Sequence, residues 1–499
     1  MELQFQRSAC RCLRRVICDI QNQEQTQELK ISDGMPDIGR IIGAWGQLIL
    51  RGKEWRSDSV LLSGGIMGWV LYAPEDGSGL RTLDTWIPYQ IKWSLPEGTR
   101  EGQLRVESLL RFLDARSVSP RKIMLRAGIS AMAEAMEPQT LEYGAAGEVP
   151  EDVAILKQTY PVRLCREAGE KRFLLDEMLT MPPSAPVPEK LIRYSLTPKI
   201  TDKRIQGDKI VFRGNGDVHI LYRSGEGQFH SWDFEVPFSQ YESLEESYSQ
   251  DGQPDISISV TNLDLELNPQ GELRLKCGLV AQYLVEDRVM LELTEDAYSP
   301  RRPVTLEQEI LRLPVTLDDR SENLYGETTL PGDADVVVDT WFLPEYPRIR
   351  RREEGFRLEL PGQFQTLYYG ADGNLQCGIA RWEDSRELPA HEDCRVWASI
   401  LSVSTPQSEI GDGTIRLKQE IKLQEKTFCN QELSGVSGLK LGELQEPDPS
   451  RPSVILRRPG HMGLWHIAKR CGSTVEAIRD ANRLQGEPDP ERMLLVPVL

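Results

Sequence analysis

Lys209–Tyr222 reads KIVFRGNGDVHILY: a half-buried strand, a glycine-containing interruption, and a second strand that ends in Leu-Tyr. The same arrangement stands 150 positions earlier in Ser59–Tyr72, SVLLSGGIMGWVLY, which sets Tyr72 against Tyr222. A third copy, GFRLELPGQFQTLYY, sets Tyr368 against the same position. Recurrence of one pattern at a nearly fixed spacing is the mark of an internal repeat.

The register holds on both sides of these segments. Downstream, RKIMLRAGI (Arg121–Ile129), GELRLKCGL (Gly271–Leu279) and GTIRLKQEI (Gly413–Ile421) share one apolar alternation. Ile123, Leu273 and Ile415 correspond, as do Leu125, Leu275 and Leu417, with Arg126, Lys276 and Lys418 beside them. Upstream, Gln27–Ile42 lies over Glu177–Ile192, so that Leu29 meets Leu179, Ile31 meets Met181, and Pro36 meets Pro186. The third leader falls near Leu324–Val338. Period-two runs such as Ile256, Ile258 and Val260 are separated by turn residues, as in Asn268–Gly271 and Ile410–Gly413. The pattern predicts three repeated antiparallel β units, sandwich-like or open-barrel-like, over residues 1–150, 151–300 and 301–443. Met132–Met136 and the run from Leu324 onward are the two places where a short helix competes.

The last segment changes character. Val454-Ile455-Leu456 is a short β run, Leu464, Ile467, Ala468 and Cys471 recur at helical spacing, and Gly472 stops that helix. Ser473 to Glu476 reads as a capping box, Val475 and Ile478 form the next apolar face, and Asn482 suits a left-handed C-terminal position. Met493–Pro497 closes with a strand. This βααβ order over residues 453–499 resembles a LysM module, a small family that binds N-acetylglucosamine polymers or, less often, protein. The resemblance implies a groove between two loops, here Gly460, His461, Met462, Gly463, Leu464 and Trp465 with Leu484, Gln485, Gly486, Glu487 and Pro488. Leu464 and Trp465 also suit the helix-start core, leaving His461, Met462, Gln485 and Glu487 as the expected exposed contacts. LysM modules usually carry Gly-Asp-Thr or Gly-Asp-Ser before Leu-Trp. Gly460–Gly463 has one extra residue and no Asp, which tilts the reading toward a protein partner. The joining stretch Leu444–Pro452 holds three prolines and predicts a semi-rigid spacer with few contacts across it.

The net charge of −18 argues against nucleic acid and anionic membrane as partners, since both select a basic face. No run of apolar residues is long enough to span a bilayer. Met1–Ile20 lacks the apolar core of a signal peptide, so the expected compartment is the cytoplasm of the producing cell. Nine scattered cysteines, Cys10, Cys12, Cys18, Cys165, Cys277, Cys377, Cys394, Cys429 and Cys471, read as reduced thiols. Cys10, Cys12 and Cys18 share a face if the strand is regular, but no CxxC or nearby His supports a metal.

Nothing in the chain marks a catalytic centre. His219, His230, His391, His461 and His466 have no metal-ligand spacing. Arg213–Asp217 and Gly225–Gly227 read as turns between strands, without the helix a phosphate site needs. Glu245-Glu246 and Glu353-Glu354 read as solvated loops, and Trp232 and Trp382 as core or edge cover rather than stacking platforms. The expectation is no enzyme, no cofactor and no metal.

Taken with the leader containing Pro36–Ile42, the strands ending in Leu-Tyr, the Ile87-Pro88-Tyr89 and Val236-Pro237-Phe238 turns, the repetition and one terminal LysM-like module, the chain resembles the SPOCS-domain spore-coat morphogenesis proteins, the SipL family, of clostridial spore formers. That resemblance implies a non-enzymatic scaffold in the mother cell, at the forespore surface. Its LysM module is implied to hold the coat ATPase SpoIVA and its β units to engage other coat proteins. Docking on peptidoglycan or cortex is the alternative, and a LysM-anchored hydrolase ranks last.

Overall fold

A computed structural model describes residues 1–145, 147–249, 252–268, 271–353, 355–389, 394–446 and 450–499. The chain is mainly β, in several antiparallel sheets. The first stretch holds β1 (Glu2–Gln4), β2 (Gln6–Lys30), β3 (Ile38–Trp55), β4 (Ser59–Pro74), β5 (Arg81–Ser94), β6 (Gln103–Ser119) and β7 (Lys122–Ala145). The second holds β8 (Ala154–Leu179), β9 (Pro188–Ile205), β10 (Lys209–Ser224), β11 (Phe229–Ser243), β12 (Gln253–Leu267) and β13 (Leu273–Tyr298). The third holds β14 (Val304–Pro331), β15 (Ala334–Pro344), β16 (Arg348–Arg352), β17 (Gly355–Gly370), β18 (Leu375–Pro389), β19 (Cys394–Val403), β20 (Gln407–Gly411) and β21 (Thr414–Leu441). β22 (Val454–Arg457), α1 (Leu464–Cys471), α2 (Val475–Asn482) and β23 (Leu494–Pro497) follow.

Each stretch forms two sheets. A long-strand sheet runs β2-β7-β6, then β8-β13-β12, then β14-β21 with β19 and β20. A shorter sheet runs β3-β4-β5, then β9-β10-β11, then β17 flanked by β15, β16 and β18. The two sheets of a stretch enclose their own apolar core. The aligned positions carry it: Ile123, Leu273, Ile415, Leu125, Leu275 and Leu417 are fully buried. Ile123, Leu273 and Ile415 face Leu29, Leu179 and Leu330 across the ladder.

Several local expectations change. The glycines of β4, β10 and β17 do not interrupt the strand, which is continuous in each case. They make room for cross-strand aromatics. A Cβ on Gly64 would lie 2.5 Å from the Tyr89 hydroxyl, and one on Gly214 2.7 Å from the Phe238 ring. Arg213–Asp217 is therefore strand rather than turn. Ile87-Pro88-Tyr89 and Val236-Pro237-Phe238 are also strand, on the edge strands β5 and β11, where a missing N–H is tolerated. Met132–Met136 and Leu324 lie in β7 and β14, not helices. β7 is a central strand buried on both faces, which erases the alternation that reveals a strand.

Trp382 is buried, and Trp232 packs against the second core. Glu245 and Glu246 are exposed. Glu354, His391, and parts of the 268–271 turn and the 444–452 spacer lie outside the described residues.

The cysteines need two corrections. A bulge between Arg15 and Ile17 shifts the parity of β2. Cys10 and Cys12 are buried in an apolar cluster, while Cys18 is turned to the opposite face. Cys394 and Cys429 are not free thiols. They are direct cross-strand neighbours on β19 and β21, with Cα atoms 4.4 Å apart, and form a disulfide.

The three stretches close on one another. The far halves of the six long strands share one core, built from Cys10, Leu141, Val162, Leu291, Leu313 and Leu433 among others. A second shared core joins Trp45 and Leu71 to Ile192, Leu221, Val338 and Leu367. Side chains cover backbone groups at open strand edges. Gln282 of β13 accepts from Val106 N (3.1 Å) and donates to Val106 O (2.7 Å), and Gln47 accepts from Leu196 N (3.2 Å). β1 crosses from the first stretch to pair with β21, Glu2 opposite Lys440.

Between the shared cores lies a buried ion cluster. Arg105 reaches Asp255 (3.1 Å) and Glu134 (3.4 Å), and Arg15 reaches Glu134 (3.2 Å) and Glu286 (3.0 Å). Lys426 reaches Asp255 (2.9 Å), and Thr316 donates to Glu286 (3.1 Å). Arg15 also lies 4.3 Å over the Phe428 ring. Burial alone raises a carboxyl pKa. Arg105, Lys426 and Lys203 reverse that for Asp255 and hold it well below the usual range.

Removing one partner leaves buried charge uncompensated, which costs about 3–5 kcal/mol. Lys426→Met is expected to lower unfolding stability by that order in urea titrations. Lys122→Met, which breaks the exposed Lys122–Glu28 pair, is expected to cost less than about 1 kcal/mol.

Candidate functional site

The two loops expected to bind flank the helices of the C-terminal segment, Gly460–Gly463 before α1 and Leu484–Pro488 after α2. β22 and β23 pair antiparallel, and α1 and α2 cover one face of that ribbon. Leu464, Ile467, Ala468, Ile478, Leu494 and Val496 fill the small core. Gly472 ends α1 in the left-handed region, at φ 68°. The α2 cap is Thr474, whose hydroxyl accepts from Ala477 N at 3.1 Å; Ser473, the expected cap, is buried. The left-handed residue after α2 is Arg483, not Asn482. Asn482 instead uses its amide to join α2 to β23, donating to Leu495 O (2.6 Å) and accepting from Leu495 N (2.8 Å).

In the first loop Gly460 has φ 58°, and its N–H donates to Pro490 O at 3.2 Å. His461 and Gly463 are exposed, as are Gln485, Gly486 and Glu487 in the second loop. Leu464 is core, and Leu484 packs against that core. Met462 is not the free contact expected. It is half-buried, and its sulfur accepts from Arg457 Nη2 at 3.8 Å.

Trp465 serves neither the groove nor the module core alone. Its indole N–H donates to Asp296 Oδ2 at 2.9 Å, and its ring meets Tyr298 edge-on at 4.8 Å. Lys469 pairs with Asp296 at 2.6 Å, and the Tyr298 hydroxyl donates to Ser473 O at 3.0 Å. Contacts thus do cross the proline-rich spacer, and the module docks on the end of β13. A register shift between Thr294 and Asp296 places this patch. Two residues of one strand facing a helix far along the chain leave no periodic signal.

We expect Asp296→Ala combined with Tyr298→Ala to free the module. Glu-C protease should then cleave after the exposed Glu443 faster than in the parent chain, with the melting of the β region nearly unchanged.

A second charged junction joins the three stretches. Arg193 is buried between Trp45 (5.5 Å) and Trp341 (4.0 Å) and pairs with Asp339. His219 links Asp339 (3.1 Å) to Asp233 (2.6 Å). Burial pulls the His219 pKa down, but Asp339 and Asp233 outweigh it and raise the value to about 9. A histidine pKa raised on folding adds stability that is complete below the ordinary value near 6.5 and is lost as pH rises through about 9. The melting temperature of the parent should fall more between those pH values than that of His219→Gln.

No helix among the described residues is long and apolar enough to cross a membrane. Residues 188–268, which span β9 to β12, match the family described as SipL, SPOCS domain. That match supports a SipL-like family and a sporulation-related protein. No curated protein and no solved structure matches the chain.

Proposed function

We propose that this chain is a non-enzymatic scaffold of spore-coat assembly, built from three SPOCS-type units and a terminal LysM-type module. The observation that carries the reading is the SPOCS match over β9–β12, set in a chain whose strand pairing recurs in three stretches and ends in a βααβ module. The β body offers sheets and outer edges to coat proteins, in the mother cell at the forespore surface. The terminal module attaches it to a SpoIVA-like coat ATPase. Support for protein over glycan is the first loop, which lacks the usual Asp and presents His461 beside a half-buried Met462. Docking of Trp465 on β13 removes one aromatic from the free surface.

The second reading, a peptidoglycan or cortex binder, keeps the same two loops as its groove. Capture assays on the full chain separate the two. Gln485→Ala and His461→Ala are expected to weaken retention of a SpoIVA-like ATPase roughly tenfold, the loss of about 1–2 kcal/mol typical of a central interface contact. Arg479→Ala, on the exposed face of α2, is the control and should change little. Tight binding to peptidoglycan with no retention of the ATPase would favour the glycan reading.

A further inference from the structure

The terminal module touches β13 through a few side chains and no ladder, since β22 and β23 pair only with each other. The contact is made by one face of α1. Trp465 and Lys469 stand four residues apart and so point the same way from the helix. The carbonyl of Ser473 lies one turn further on, past the helix end. Opposite them, Asp296 and Tyr298 stand two apart on β13 and so project from one side of the strand.

The polar groups of the two sides match. Asp296 Oδ2 accepts from the Trp465 indole N–H (2.9 Å), and both carboxylate oxygens accept from Lys469 Nζ (2.6 and 2.8 Å). The Tyr298 hydroxyl donates to Ser473 O (3.0 Å), while its ring lies edge-on to Trp465 (4.8 Å). Tyr298 is buried, and Ala154, its neighbour across the ladder on β8, packs beside it against the module core. The face of α1 therefore reads a short pattern: a carboxylate, one intervening residue and a phenol, in extended chain.

This joint differs from the cores that hold the three stretches together. Lys469 and Asp296 keep part of their surface in water, where an ion pair adds little. The module hangs on a spacer with three prolines. Residues 453–499 carry seven basic against five acidic side chains in a chain of net charge −18, so the module favours an acidic occupant.

We propose that the Trp465–Lys469 face of α1 is a recognition site for an extended Asp-x-Tyr segment of a partner protein, and that the end of β13 occupies it as an internal stand-in. A partner segment with the same spacing takes over the contacts of Asp296 and Tyr298 and releases the module from the β body. Recognition runs through side chains against a helix, so the carboxylate and the phenol set its specificity. Occupancy by β13 lowers the apparent affinity for the partner by the fraction of molecules that are closed. The inference rests on reading the module as an attachment device and is independent of which ligand its two loops take.

The test uses the full chain and a labelled, C-terminally amidated hexapeptide, Leu-Thr-Glu-Asp-Ala-Tyr, the sequence of residues 293–298. In the chain carrying Asp296→Ala and Tyr298→Ala, fluorescence anisotropy should show the peptide binding at least tenfold more tightly than to the parent. Asp296→Ala alone, which keeps Tyr298 in the fold, should shift affinity in the same direction. Peptides with Asn for Asp, or Ala for Tyr, should lose most of that affinity. Adding Lys469→Ala to the opened chain should do the same, with thermal melting reporting that the fold is intact. No coat protein enters this assay, so its failure and a failure of ATPase capture are separate results. Three results overturn the proposal. They are equal affinity for the opened and parent chains, binding indifferent to the peptide Asp or to Lys469, and no binding by the opened chain at about the millimolar effective concentration of a tethered segment. Any of them would make the contact a fixed joint between module and body.

Discussion

The fold depends on a set of charges that water cannot reach. Arg105, Glu134, Asp255, Glu286 and Lys426 are each nearly or fully buried and come from all three stretches. An isolated buried charge is costly, and a buried pair is at best a modest source of stability. Its stronger effect is on arrangement. Each stretch supplies ions that only the others can match, so misaligned packing strands at least one charge. The flanking apolar cores supply the attraction, and the ion cluster fixes how the stretches sit. The Arg193–Asp339–His219 junction repeats the device near the shorter sheets.

The same logic governs the edges. Sheets that end in open strands invite pairing with other chains. Inside this body the edges meet glutamine side chains or a neighbouring sheet, and β1 occupies part of the side of β21. In the third stretch the breaks between β15 and β16 and between β19 and β20 border a cavity.

Sequence legibility followed periodicity. Ile123, Leu273 and Ile415 are found at equivalent places in the ladders because alternation with one buried face is visible in a strand. Met132–Met136 was obscure for the opposite reason, being buried on both faces. Glycines resemble breaks in a sequence, yet Gly64 and Gly214 lie beneath Tyr89 and Phe238, a relation set by register between strands. In the C-terminal loops His461, Gln485 and Glu487 are exposed, while Met462 is half-buried. The docking of Trp465 was not legible, because its partners Asp296 and Tyr298 are about 170 positions away. The ion cluster was equally hidden: a lone Lys426 or Glu286 in an alternating strand looks like an ordinary solvated residue.

The central claim is that the three stretches form one cooperative body and not three independent beads. Native-state hydrogen exchange tests it directly. Amides at the centres of β7, β13 and β21 should exchange through a single opening, with the same free energy and the same dependence on denaturant. Three distinct opening energies, with one stretch exchanging fully while the others stay protected, would contradict it.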